Sequence, residues 1–405
     1  MSKKVVLGFS GGLDTSFCVK YLTEEQGYEV YSIIVNTGGF SDEELEKIEQ
    51  HAKNLGVKSH KTVNAVKNYY NSIIRYLIYG NVLKNNTYPL SVSAERLSQA
   101  IHIAEYAKEI QADAVAHGST GAGNDQVRFD MILNIIAPGT EIITPIRDLK
   151  LSREAEIEYL KSKGVEMNFE KAVYSINKGL WGTSVGGKET LSSKGLLPEE
   201  AWPTQVTKTG SEEVVLTFEK GELVKVNDEA FDHPTEAIQY LQSIAGPYGV
   251  GRDIHVGDTI IGIKGRVGFE AAAPILIIKG HHALEKHVLT KWQLQWKDQI
   301  AQFYGMWLHE GQILDPVMRD MEAFLESSQR NVTGKVFIQL HPYRYEIIGI
   351  ESDYDLMNSE FGSYGEMNAG YTADDVKGFT RIFGNQTGIY HQVKEKAYQK
   401  NGQRF

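Results

Sequence analysis

The chain has 405 residues, 41% of them hydrophobic and 23% charged, and carries a formal net charge of −10. That length exceeds what one hydrophobic core usually serves, and the acidic balance excludes nucleic acid or an anionic membrane as the main partner. The single cysteine, Cys18, excludes an internal disulfide and a thiolate metal cage. With no apolar signal core at the start and no run of 18 apolar residues, a cytoplasmic protein that crosses no membrane is expected.

Residues 5–9, a run of five apolar or small residues after Lys3 and Lys4, read as a strand buried on both faces. The stretch Phe9-Ser10-Gly11-Gly12-Leu13-Asp14-Thr15-Ser16 then turns into a helix that pairs Phe17 with Tyr21 and Cys18 with Leu22. Asp14, Thr15 or Ser16 is expected to cap this helix and Gly27 to close it. Gly11 and Gly12 let the backbone turn sharply and admit an anion close to the amides. The hydroxyls of Ser10, Thr15 and Ser16, the free N–H groups and the positive end of the helix dipole together make a phosphate site.

A strand over 30–35 follows, then a helix opened by a Ser41–Glu44 capping box and stopped by Gly56. A strand over 57–63, a helix over 65–79, an irregular stretch over 81–91 and a long helix over 94–110 come next. A buried strand over 112–116 leads into a second glycine-rich loop, His117-Gly118-Ser119-Thr120-Gly121-Ala122-Gly123-Asn124-Asp125. A helix over 127–136, a strand over 142–146 and a helix over 153–163 complete this half. The alternation predicts an α/β fold with a mostly parallel, doubly wound sheet, and both glycine-rich loops fall at the strands' C-terminal ends, where ligands bind.

The first loop resembles the pyrophosphate-binding loop of the ATP pyrophosphatase superfamily. Its spelling, with the second loop running on through Arg128 and Phe129, is similar to the two signatures of the argininosuccinate synthase family. The resemblance implies a nucleotide-binding domain of the adenine nucleotide alpha hydrolase type over 1–166. It implies a synthetase domain over 167–375, and a C-terminal oligomerisation helix over 376–405 that packs within a homotetramer. It also implies ligation of citrulline to aspartate through citrullyl-AMP, with ATP and Mg2+ required and AMP and pyrophosphate released. Gly8, Phe9, Ser10, Gly11, Gly12, Leu13, Asp14, Thr15, Ser16, Val35 and Gly118 then bind ATP. Thr120, Asn124 and Asp125 face aspartate, while Tyr88, Ser93, Asn124, Arg128, Ser175 and Ser184 face citrulline. Asp14, Ser16 and Asp125 are the candidate catalytic residues, and the magnesium ligands stay unassigned.

Three positions depart from the family pattern. Ala122 stands where relatives carry Lys, and Gly257 and Phe269 stand where they place a citrulline-holding Glu and Tyr. Asp258 is a candidate replacement for the Glu. A nucleotide sensor without turnover is the rival these departures leave open. A tRNA-thiolating or amide-forming member of the superfamily is disfavoured by the lone buried cysteine and the acidic charge.

Gly182-Thr183-Ser184-Val185-Gly186-Gly187-Lys188-Glu189 nearly spells a Walker A loop, but Glu189 stands where that motif needs a hydroxyl. The second half then reads as α+β. A hairpin is expected over 213–218 and 222–226, and a helix over 235–244 opened by Pro234. Strands are expected over 259–264 and 274–278, long helices over 289–308 and 316–329, and a final hairpin over 336–340 and 345–351. His281, His282 and His287 lack a fourth ligand at zinc spacing and are expected to be ordinary core or surface residues. Trp292, Trp296, Phe303, Tyr304 and Trp307 are expected to form one buried helix face. The tail is expected to be an amphipathic helix with Gly384 and Gly388 inside it.

Overall fold

A computed structural model describes residues 2–121, 123–169, 174–358, 360, 362, 364–366 and 370–401. The chain falls into two compact units, Met1–Tyr354 and Asp355–Phe405.

The first unit begins with β1 (Lys4–Gly8), α1 (Leu13–Lys20), β2 (Glu29–Asn36), α2 (Asp42–Leu55) and β3 (Ser59–Asn64). Then come α3 (Val66–Tyr69), α4 (Arg75–Tyr79), α5 (Ser91–Glu109), β4 (Ala114–Ala116), α6 (Asp125–Ile136), β5 (Glu141–Ile143), α7 (Pro145–Asp148) and α8 (Arg153–Ser162). Their strands form one parallel sheet in the order β3-β2-β1-β4-β5. The sheet is wound on both faces, and β1 shows why. Val6 packs with Leu97, Ala100 and Ala104 of α5, whereas Val5 and Leu7 pack with Phe17, Leu55 and Leu160 on the opposite face. The α2 capping box forms as expected, and Gly56 ends that helix at φ 98°.

The rest of this unit is antiparallel. Its strands are β6 (Ser175–Gly179), β7 (Gly182–Gly186), β8 (Glu212–Glu219), β9 (Glu222–Val226), β10 (Glu229–Ala230), β11 (Arg252–Asp258), β12 (Lys264–Glu270), β13 (Gly334–His341) and β14 (Arg344–Glu351). Its helices are α9 (Pro234–Ala245), α10 (Ala272–Val288), α11 (Lys291–His309) and α12 (Pro316–Ser328). They build a five-stranded sheet, β10-β9-β8-β13-β14, and a four-stranded sheet, β11-β12-β7-β6.

Several expectations are corrected here. No side chain caps α1: its N-cap is Gly12, and the hydroxyls expected to cap it point back to the Gly12 carbonyl. Residues 259–263 are the turn between β11 and β12, and the strand begins only at Lys264. Residues 274–278 lie inside α10, where Pro274 sits in the first turn and its missing N–H costs nothing. The apolar run there reads like a strand because α10 is buried nearly all round. The α11 aromatics do not share one buried face. Lys297, Ala301, Tyr304 and Leu308 turn inward, which leaves Trp292, Trp296 and Phe303 outward at 66%, 59% and 58% exposure. His281 is a core residue bonded to Asn81 and Gln329. The first five residues of the Walker look-alike are strand β7, paired on both edges.

In the second unit, the tail forms α13 (Ala373–Phe383) and α14 (Asn385–Asn401), broken at Gly384 rather than continuous. Phe379 and Phe383 stack at 5.1 Å on the exposed face of α13.

Candidate functional site

The first glycine-rich loop joins β1 to α1. The Phe9 N–H donates to the Ile33 carbonyl at 2.9 Å, extending the β1–β2 ladder, and Gly11 then adopts φ +77°, which an L side chain resists. Ser16 donates to the Gly12 carbonyl at 2.7 Å and meets His51 Nε2 at 2.9 Å. Ser10 and Thr15 hydroxyls stand 3.4 Å apart. With no side-chain cap, the first amides of α1 stay available to an anion. Leu13 is buried beneath the loop, and Val35 is buried near the end of β2.

Asp14 has a neighbour that sequence reasoning missed. Glu156 on α8 is 4% exposed. Burial, followed by the Asp14 charge, pushes its carboxyl up to about 8. Cys18 is driven up by burial and then by the same two carboxyl groups, so it is an inert core thiol.

The second loop approaches the first. A Cβ on Gly118 would stand 3.3 Å from Asp14 Cβ and 3.4 Å from Thr15 Cγ2, so the second loop comes close to the first with little room for a side chain. His117 is held by Asp130 at 2.8 Å, and Asp130 by Arg147 at 2.7 Å. Thr120 is exposed at the loop tip. Ala122 lies outside the described residues. Asn124 Oδ1 accepts from the Ile260 amide at 2.8 Å, tying this loop to the β11–β12 turn.

Asp125 opens α6 between two guanidinium groups, Arg96 Nε and Arg128 Nη1, each at 3.1 Å. Burial would raise its carboxyl, but the two cations outweigh it and hold Asp125 below its ordinary range. Arg96 is the hub. It also bonds Glu95 at 3.0 Å, Gln99 at 2.9 Å and Asn177 Oδ1 at 2.9 Å. Through Asn177 the network reaches Ser184, whose Oγ accepts from Nδ2 at 3.5 Å. Burial lifts Glu95 to about 7, and Arg96 works against that rise.

The β6–β7 hairpin docks onto the C-terminal edge of the parallel sheet, where Leu180 N–H donates to the Thr37 carbonyl at 3.2 Å. Phe269 pairs with Ser184 across the β12–β7 ladder, is fully buried, and lies 5.4 Å from the Tyr88 ring. The Tyr88 hydroxyl meets Val92 N–H at 3.1 Å and Ser91 Oγ at 3.2 Å. Ser93 is buried and donates to the Leu90 carbonyl at 3.3 Å. Arg128 also donates to the His309 carbonyl, at 3.0 and 2.9 Å. Tyr88, Asn124, Asp125, Arg128, Ser184 and Phe269 therefore converge. Ser175 does not join them closely: it pairs with Gly186 at the open, exposed end of the hairpin. Asp258 is engaged elsewhere, bonding Lys264 at 2.7 Å with its side chain 62% exposed.

Arg96, Glu95 and Asn177 went unnoticed in the sequence. The available signal was an Arg–Glu pair at the start of a helix that otherwise offers small and apolar residues to the core.

The family model described as Arginosuccinate synthase N-terminal HUP domain matches residues 4–166, and the one described as Arginosuccinate synthase C-terminal domain matches residues 174–390. The chain belongs to the argininosuccinate synthase family. Among curated relatives, the argininosuccinate synthase of Methanocaldococcus jannaschii is 38% identical over 399 residues, covering 98% of this chain and 100% of its own. That of Xanthomonas campestris is 35% identical over 404 residues, covering 97% and 99%. That of Dictyoglomus thermophilum is 35% identical over 390 residues, covering 96% and 97%. The HUP match coincides with the parallel sheet and its two loops, and the C-terminal match starts just before the hairpin that meets them.

Proposed function

We propose that this chain acts as an argininosuccinate synthase, a ligase that joins citrulline to aspartate while ATP is cleaved to AMP and pyrophosphate. The observation that carries the reading is the close approach of Gly118 to Asp14 and Thr15, so close that a side chain at 118 would press on both. It sets the anion-binding start of α1 and the Asp125–Arg96–Arg128 cluster on one edge of the sheet, where α/β folds bind ligands.

The citrulline ureido oxygen attacks the α-phosphorus, pyrophosphate leaves, and the aspartate amine then displaces AMP from citrullyl-AMP. Positioning and charge stabilisation suffice, without a covalent enzyme intermediate. Amides from Ser10 to Thr15, with the Ser10, Thr15 and Ser16 hydroxyls, cradle the departing pyrophosphate, and Val35 and Gly118 line the adenosine side. Thr120, Asn124 and Asp125 receive aspartate. Tyr88, Ser93, Asn124, Arg128, Ser184 and Phe269 receive citrulline. Magnesium favours one or two carboxylates plus phosphate oxygens. Asp14, with its neighbour Glu156 kept protonated up to about 8, offers that donor set beside the phosphate loop. Bound there, the ion would offset charge on the departing phosphates.

The division into a nucleotide-binding domain over 1–166, a synthetase domain over 167–375 and an oligomerisation tail over 376–405 is part of the same reading. So are a homotetrameric assembly and a cytoplasmic location. No helix among the described residues is long and apolar enough to cross a membrane. The exposed Phe379–Phe383 face of α13 supports the assembly role.

Pyrophosphate release from ATP, measured with citrulline and aspartate each omitted in turn, tests the proposal. Release requiring both amino acids for full turnover is expected. ADP formation, or indifference to citrulline, refutes it.

A further inference from the structure

His255 on β11 is 6% exposed, and no protein group hydrogen-bonds its buried Nδ1. Buried polar atoms nearly always have a partner, so this one calls for an explanation. Its ring stacks on Tyr88 with centroids 5.0 Å apart and 23° between planes. The ring also fills the space that a side chain at position 257 would need, since a Cβ on Gly257 would stand 2.4 Å from its Nε2. The Asn85 amide donates to the carbonyl of Val256 at 3.1 Å, which fixes this strand against the 81–90 stretch.

Two charges face the His255 ring, the Lys84 cation and the opposing Asp253 carboxylate. Burial first, and the Lys84 cation second, pull the His255 imidazole down to about 4, so at neutral pH it is uncharged and carries one N–H. Lys84 is tied to Tyr88 through its backbone N–H at 2.8 Å, and burial lowers its ammonium group. Lys84 also feels the charge of Arg128. Asp258 and Glu310 act on Lys84 as well, and Asp258 is bonded to Lys264. A neutral ring donor beside a partly desolvated cation suits an anionic oxygen.

We propose that His255 is a specificity-determining residue of the acceptor site, its ring turning to bring the unpartnered Nδ1–H to the α-carboxylate of the amino-acid acceptor while Lys84 supplies the opposing charge. This rests on the reading of the chain as a citrulline-consuming ligase. Gly257 is then required because any side chain there displaces the imidazole.

The test is steady-state pyrophosphate release by the full chain. His255→Ala raises the KM for citrulline about tenfold, the worth of one hydrogen bond to a charged group, and leaves the KM values for ATP and aspartate within about twofold. His255→Asn, which keeps an N–H donor, recovers part of the loss. Gly257→Ala leaves the histidine in the sequence yet reproduces the citrulline defect. Citrullinamide, whose carboxylate is neutralised, separates the contact from general damage: His255→Ala adds little to its already weak binding. An unchanged citrulline KM in His255→Ala, or equal losses with citrulline and citrullinamide, overturns the proposal. If the wild-type chain releases no pyrophosphate with both amino acids present, the ligase reading itself fails. Brisk release that ignores His255 defeats only this inference.

Discussion

Glu95 offers a test of the buried network that needs no substrate. Its side chain is 4% exposed and lies 3.0 Å from Arg96, yet burial keeps its carboxyl near 7 rather than 4.5. Between those two pH values the folded chain holds a proton that the unfolded chain has released, so stability falls as pH rises from 4.5 to 7 and levels off above. At about 1.4 kcal/mol per pH unit, that interval costs about 3 kcal/mol. Glutamine mimics the protonated carboxyl, so Glu95→Gln should match the wild type near pH 5 and exceed it at pH 8, by as much as about 3 kcal/mol. Urea-unfolding midpoints of both proteins at pH 5 and pH 8 measure this difference. A wild-type-to-variant gap that stays constant between the two pH values would refute the assignment of Glu95 as the desolvated partner of Arg96.

Asp14→Asn should lower turnover at least about a hundredfold through lost charge stabilisation at the phosphates, with its thermal melt nearly unchanged. A wild-type kcat would count against the phosphate-loop reading. Gly118→Ala places a methyl 3.3 Å from Asp14, so affinity for a non-hydrolysable ATP analogue should drop by about 1 kcal/mol in calorimetry. Citrulline affinity should stay as it was. Asp125→Asn leaves Arg96 and Arg128 facing each other without their shared carboxylate, and kcat/KM for aspartate should fall by about a hundredfold. A loss confined to stability would make Asp125 structural only.

Local rules served well where the chain's own neighbours decide the outcome. The Ser41–Glu44 box, the Gly56 stop, the 213–226 hairpin and both glycine-rich loops are written within a few residues of where they act. Rules failed where distant packing decides. The run Pro274-Ile275-Leu276-Ile277-Ile278 is apolar enough for either a strand or a helix, and only its burial between sheets makes it the start of α10. The α11 aromatics share a spacing, but the face selected for the core is the one bearing Lys297, which pairs with Glu285 at 2.9 Å in the interior. The phosphate loop was legible because backbone turns demand glycines at fixed places. The Arg96 hub was not, because its partners Asp125 and Asn177 lie 29 and 81 positions away.

The β6–β7 hairpin belongs to the C-terminal family region, yet its tip hangs on the Thr37 carbonyl and its strand brings Ser184 to the Arg96 hub. Neither stretch of gene therefore encodes a finished catalyst. A recombinant chimaera that borrowed the nucleotide half from one homologue and the remainder from another would have to match across this seam. On the proposed acceptor site, retuning which amino acid is chosen would draw on both sides of the seam as well, because Tyr88 and Arg128 lie in the nucleotide half whereas Ser184 and His255 lie beyond it.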